Sequence, residues 1–174
     1  MTFKELITQR TTLNKLDNED SLFILELLNT DGWVKFIGDR NIKNEKNALN
    51  YIEKINNDST VTYWVVQQKD TGDKLGIITL IKRAHLESFD IGFAFLPQFA
   101  NNGYAYEASD AVMNFIIEST DLKIILATTV PENKSSIRLI EKLGLTFNKS
   151  VEDKNEVLSV YKVDLDKLKT EKSN

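Results

Sequence analysis

The 174-residue sequence predicts an α/β fold: one mixed, mostly antiparallel sheet of about seven strands flanked by about four helices. Three observations carry this. Residues 61–95 hold three runs with strand patterning separated by turn residues, the signature of an antiparallel meander. Ala108, Ala111, Val112, Phe115 and Ile116 then fall on one helical stripe. The nearly continuous apolar run Lys123 to Val130 follows, as expected of a buried strand with a parallel neighbour. Together they make a strand–helix–strand unit, whose crossover is right-handed.

The elements follow in order. Leu13 to Leu16 reads as an opening strand. A helix is expected from Asp17, which with Asp20 fits a capping box and leads into the apolar face Phe23, Ile24, Leu27 and Leu28. Trp33 to Arg40 reads as a loop with aromatic anchors, and a second amphipathic helix carries Ala48, Tyr51, Ile52 and Ile55. Val61 to Gln68, Leu75 to Ile81 and Phe89 to Phe95 are strands, with a turn at Asp70-Thr71-Gly72-Asp73. Pro97 to Gly103 is a loop. Pro131-Glu132-Asn133 ends the later apolar strand, and a short helix runs to Gly144, a C′ residue. Thr146 to Val151 and Val157 to Asp164 are closing strands joined by Glu152-Asp153-Lys154-Asn155. Nothing marks a repeat or linker, so residues 1–168 read as one domain and 169–174 as a polar tail.

Composition excludes several functions. The net charge is −4 with both signs interspersed, so no nucleic-acid partner is expected. Cysteine is absent and His85 is the only histidine, which leaves no thiolate nucleophile, no disulfide and no thiolate or multi-histidine metal site. Met1 to Arg10 lacks an apolar signal core and no run approaches the ~20 apolar residues of a membrane span, so a cytoplasmic protein with no membrane partner is expected. Neither a phosphate-binding G-x-x-x-x-G-K-[ST], nor G-x-G-x-x-G, nor a G-x-S-x-G nucleophile elbow occurs.

The most informative stretch is Asp90 to Ala108, DIGFAFLPQFANNGYAYEA. It reads as a strand, a loop of small and polar residues, and a helix start. Such a loop aims several backbone N–H groups at one point, where a helix N-terminus adds roughly half a positive charge. Gly103 permits close approach, and Asn101 and Asn102 tolerate left-handed conformations better than most residues. This is an anion site suited to a pyrophosphate.

The stretch resembles the pyrophosphate motif of GNAT N-acetyltransferases, Q/R-x-x-G-x-G/A, with Gln98, Asn101 in place of the first glycine, and Gly103. The extended form is matched by Pro97, Phe99, Gly103, Tyr104, Ala105, Glu107 and Ala108, similar to the branch containing the ribosomal-protein alanine N-acetyltransferases. A second block, VPENKSSIRLIEKLGL from Val130 to Leu145, is similar to the family's Pro-Glu-Asn-x-x-Ser…Glu-Lys-Leu-Gly segment. Thr8-Gln9-Arg10 and Phe36 to Arg40 extend the likeness toward the amino terminus.

The resemblance implies the GNAT fold, acetyl-CoA as co-substrate, and transfer to a primary amine of a small molecule or protein N-terminus. It puts the thioester against Phe93, Ala94 and Phe95, and the pyrophosphate at Gln98 and Asn101, Asn102, Gly103, Tyr104, Ala105 and Tyr106. Asn133 is expected beside the pantetheine or thioester, and Lys134, Arg138 and Lys142 near the 3′-phosphate or adenine. Asp90 is the first choice of general base, ahead of Glu87 and Glu107. The family's usual acidic tyrosine is replaced by Ile140, so Ser136 is the substitute acid. Trp33, Phe36, Asp39 and Arg40 are expected to line the acceptor pocket, His85 to stay outside the chemistry. Homodimers are common in the family, which keeps that state open. The competing reading is a non-catalytic acyl-CoA sensor on the same fold.

Overall fold

The computed structural model describes residues 3–153 and 156–172; Lys154 and Asn155 of the expected closing turn, and Ser173 and Asn174 of the expected tail, lie outside these. The strands are β1 (Leu6–Ile7), β2 (Thr11–Lys15), β3 (Val61–Gln68), β4 (Lys74–Lys82), β5 (Phe89–Phe95), β6 (Ile124–Thr129), β7 (Thr146–Asp153) and β8 (Glu156–Asp164). The helices are α1 (Ser21–Leu28), α2 (Asp31–Phe36), α3 (Glu45–Asn56), α4 (Tyr104–Ser119), α5 (Lys134–Lys142) and α6 (Leu165–Lys172). The strands form one sheet in the order β1-β2-β3-β4-β5-β6-β8-β7, in which only β5 and β6 run parallel.

Strand alternation divides the core into two layers. Trp64, Val66, Ile78, Leu80 and Ile91 face one side and pack with Ala108, Val112 and Ile116 of α4, Ile140 of α5, and Leu165 and Leu168 of α6. Tyr63, Val65 and Ile77 face the other and meet Ile24, Leu27 and Leu28 of α1, Trp33 of α2, and Ala48 and Ile52 of α3. The strand–helix–strand unit of the sequence is thus β5–α4–β6.

Several expected boundaries shift. Asp17 and Asp20 do form a reciprocal capping box, but it opens a 3₁₀ turn, Asn18–Asp20, that leads into α1. Trp33 to Arg40 is not all loop. Thr30 Oγ1 accepts the Trp33 N–H at 3.3 Å and caps α2, while Trp33 is buried in the core. Among the described residues the sheet has eight strands rather than about seven, and six helices replace about four, because β1, α2 and α6 were not foreseen. α6 extends into the stretch expected as a tail. Gly144 is left-handed at φ 91 and closes α5 with paired bonds, Leu145 N–H to Ile140 O at 3.2 Å and Gly144 N–H to Glu141 O at 3.0 Å.

Candidate active site

The parallel pairing of β5 with β6 is short. It holds at Phe89↔Ile125 and Asp90↔Leu126, and beyond those residues the strands part. Asp90 stands at the last paired position. Its Oδ1 accepts the Thr128 N–H at 3.0 Å; its Oδ2 accepts Thr128 Oγ1–H at 3.0 Å and Arg83 Nε–H at 2.6 Å. The residue is 3% exposed. Burial pushes its carboxyl above the usual carboxylate range, against the opposing pull of Arg83 and the Thr128 bonds.

Past Asp90, β5 has one edge on β4 and one on the gap. The Leu96 N–H to Leu75 O bond fixes the phase of the antiparallel ladder. Gly92 and Ala94 therefore direct their main-chain groups to β4, and Phe93 and Phe95 direct theirs to the gap. Of the three residues expected to face a thioester through backbone N–H groups, Phe93 and Phe95 direct those groups to the gap and Ala94 turns the other way.

Helix N-termini meet at the carboxyl ends of both parallel strands: β5 feeds α4 through residues 96–103, and β6 feeds α5 through residues 130–133. This is where ligands collect in such sheets. In the first connection Pro97–Phe99 makes a 3₁₀ turn, Asn101 is left-handed at φ 61, and Gly103 at φ 82. The asparagine that departs from the motif thus adopts the conformation a glycine would supply. Among the described residues no protein acceptor takes the main-chain N–H groups of residues 101–106. These free donors, with the α4 dipole behind them, fit a diphosphate. Gln98 is exposed and its amide lies 3.4 Å from Glu26 Oε1.

Glu107 does not face the gap. Its Oε1 accepts Thr8 Oγ1–H at 2.6 Å and the Arg10 N–H at 2.8 Å, and its Oε2 accepts Arg10 Nε–H at 2.7 Å. Partial burial raises its pKa, but the bonds from Thr8 and Arg10 outweigh that and leave it below the usual range. Arg10 also donates from Nη1 to Asn102 O at 3.0 Å and covers the Tyr104 ring at 4.4 Å.

Asn133 caps α5: its Oδ1 accepts the Ser136 N–H at 3.1 Å and Ser135 Oγ–H at 3.0 Å. Its Nδ2 makes no hydrogen bond among the described residues, so the side chain can cap and donate at once. Ser136 is half-buried in the first turn, and its hydroxyl makes no hydrogen bond among the described residues. Ile140 is in the core. Lys142 Nζ sits 4.1 Å from the Tyr106 ring centre and ties α5 to α4; Lys134 and Arg138 are exposed on α5.

On the opposite face, Trp33 is 5% exposed and packs in the core, its indole N–H without a partner among the described residues, so it does not line open space. Phe36 is half-buried, Arg40 is exposed, and Asp39 accepts the Asn41 N–H at 2.6 Å rather than pairing with Arg40. His85 is exposed in the β4–β5 connection, and Glu87 pairs with Lys162 at 3.0 Å. Sequence reasoning missed a row of hydroxyls across the sheet. Tyr63 on β3 lies opposite Thr79 on β4, itself opposite Gly92 on β5. Tyr51 of α3 completes the row with its hydroxyl 3.1 Å from that of Tyr63. A Cβ on Gly92 would fall 2.7 Å from Thr79 Oγ1, so only glycine leaves this floor open.

Known proteins share this architecture. The model of the acetyltransferase (GNAT) domain matches residues 10–146. YkkB of Bacillus subtilis strain 168 is 26% identical over 162 residues, covering 90% of this chain and 94% of its own. The N-acetyltransferase YnaD of the same organism is 26% identical over 160 residues, covering 90% and 93%. The GNAT-family acetyltransferase of Bacillus anthracis superposes with a TM-score of 0.80 at 23% identity, over 94% of this chain and 99% of that one. The ribosomal-protein-S5-alanine acetyltransferase of Vibrio fischeri superposes with a TM-score of 0.77 at 14% identity, over 94% and 98%. With the family model spanning most of the sequence, the chain belongs to the GNAT acetyltransferases and is an N-acetyltransferase.

Proposed function

We propose that this N-acetyltransferase uses acetyl-CoA and passes the acetyl group directly to a primary amine, of a small molecule or a protein N-terminus, that enters from the α1–α3 face. One observation carries the proposal: the β5–β6 gap opens directly beside the unpartnered N–H groups of residues 101–106. Acetyl-CoA supplies the acetyl group as a thioester. Gln98 and residues 101–106 hold the diphosphate, Asn133 Nδ2 donates to the pantetheine, and Arg138 lies toward the nucleotide end. The N–H groups of Phe93 and Phe95 face charge developing on the carbonyl oxygen. The hydroxyls of Tyr51, Tyr63 and Thr79, with Phe36 and Arg40 at the rim, meet the acceptor. Trp33 supports that wall from beneath.

The amine must arrive neutral and lose a proton after attack. An α-amine, with a pKa of about 8, needs less help than a lysine at about 10.4. Asp90 is assigned as base, acting through the Thr128 hydroxyl or a water; its burial-raised pKa favours that work. Ser136 is assigned to protonate the leaving thiolate. The three donors on its carboxylate favour a second reading, in which Asp90 is a structural pin that ends the β5–β6 pairing.

Thiol release with acetyl-CoA, across a panel of peptides, amino acids, amino sugars and polyamines, tests the proposal. Asp90→Asn and Ser136→Ala run beside the parent. No turnover with any amine, despite coenzyme A binding, would instead support a sensor. Failure of coenzyme A to bind at millimolar concentration would end the reading.

A further inference from the structure

The β1–β2 turn and the cofactor loop are about 95 residues apart in sequence and locked together in space. We propose that Arg10, held by Glu107, is the positioning residue that aims the diphosphate-binding amides; this rests on the acetyl-CoA reading of the preceding section.

The geometry is directional. Glu107, on the first turn of α4, takes a side-chain and a main-chain donor from Arg10 and a hydroxyl from Thr8. That fixes the guanidinium at the mouth of the loop. Its Nη1 then holds Asn102 O. In a planar trans peptide the carbonyl and the following N–H point in opposite directions. Holding Asn102 O toward Arg10 therefore turns the Gly103 N–H away from it. The grip falls between two left-handed residues, Asn101 and Gly103, at the point where the loop has most freedom to turn over. Arg10 also covers Tyr104, whose own N–H is another of the free donors. The guanidinium lies close over Gly103: a Cβ there would stand 3.3 Å from Arg10 Nη2. The motif's first glycine is replaced by Asn101, so this loop carries a turn less suited to it and a clamp from outside.

The alternative role for Arg10 is a direct ion pair with a phosphate, its side chain being 42% exposed. Glu107 separates the two. Removing the Glu107 charge loosens a clamp, but frees a phosphate-pairing arginine to bind better.

The experiment measures coenzyme A binding by calorimetry, and turnover of acetyl-CoA and of S-acetyl-pantetheine, which lacks the diphosphate. The proteins are wild type, Arg10→Gln, Arg10→Lys and Glu107→Gln. A clamp predicts that Arg10→Gln and Glu107→Gln each weaken coenzyme A binding and raise KM for acetyl-CoA about tenfold, the loss of one charged hydrogen bond. kcat at saturation and the kinetics with S-acetyl-pantetheine should stay within about twofold, since only the diphosphate senses the loop. Arg10→Lys should not restore affinity, because a single ammonium cannot hold Glu107 and Asn102 in the same fork. Unchanged or tighter binding by Glu107→Gln overturns the clamp. So does an equal loss with S-acetyl-pantetheine, which marks general damage to the fold. Wild type that fails to bind coenzyme A defeats the acetyl-CoA reading itself, whereas wild-type binding shared by all variants defeats only the clamp.

Discussion

Asp90 accepts the main-chain N–H of Thr128 at 3.0 Å on the very turn of the ladder where β5 and β6 stop pairing. One carboxylate thus takes a main-chain donor of β6 that a further ladder bond would have used, and the strands beyond it are left apart. Base and pin make different predictions for Asp90→Asn. A base requires a loss of kcat/KM of about 100-fold or more together with loss of the acidic limb of the pH profile. A pin leaves the shape of the profile intact and lowers the melting temperature. pH–rate profiles and thermal melts on the same samples decide.

Glu107 links stability to pH in a known direction. Its folded pKa lies below the unfolded 4.5, so the unfolded chain takes up protons first as pH falls. Its contribution is full above about 4.5 and is lost as pH drops through the folded value. A melting series from pH 7 to 3 should show wild type losing stability faster below pH 4.5 than Glu107→Gln does. Parallel curves would remove the linkage.

Under the proposed function Asn133 has two tasks on separate atoms. Asn133→Asp keeps the oxygen that caps α5 and removes the Nδ2 donor. It should melt with wild type, aspartate being as good a cap, while KM for acetyl-CoA rises. Asn133→Ala should lose both, with about 1 kcal/mol of stability. Equal KM values for wild type and Asn133→Asp would leave the residue a cap alone.

Gly92→Ala sets a methyl group against Thr79 Oγ1. The expected result is a rise in KM for the acceptor amine with little change in KM for acetyl-CoA, because the proposed entry of the amine passes over this floor. A change confined to acetyl-CoA would place that floor on the wrong side of the reaction.

How much of this was legible depended on distance along the chain. β3 and β5 match their expected spans residue for residue, since alternation and turn residues act locally. The α4 stripe and the Gly144 cap were readable for the same reason. α2 was not. Gly32 and Val34 speak against a short helix, and burial of Trp33 with the Thr30 cap overrides them. α6 shows only Leu165 and Leu168 among polar residues, and those two pack into the core. At the site, the loop and both helix starts were visible as motifs. The partners that give Asp90 and Glu107 their character were not: Arg83 and Thr128 reach Asp90 from β4's end and from β6, and Thr8 and Arg10 reach Glu107 from 99 and 97 residues earlier in the chain. No local pattern encodes such pairings.

The order of strands has a bearing on how the enzyme comes into being. β8 lies between β6 and β7, although both precede it in sequence. One flank of the cleft, β6, leans on β5 through only two residues and on β8 along its whole length. A nascent chain that has already made β5, α4, β6 and α5 still lacks the support for that flank. Competence to grip a co-substrate should therefore await β8, which joins the sheet through β6 on one side and carries β7 on the other.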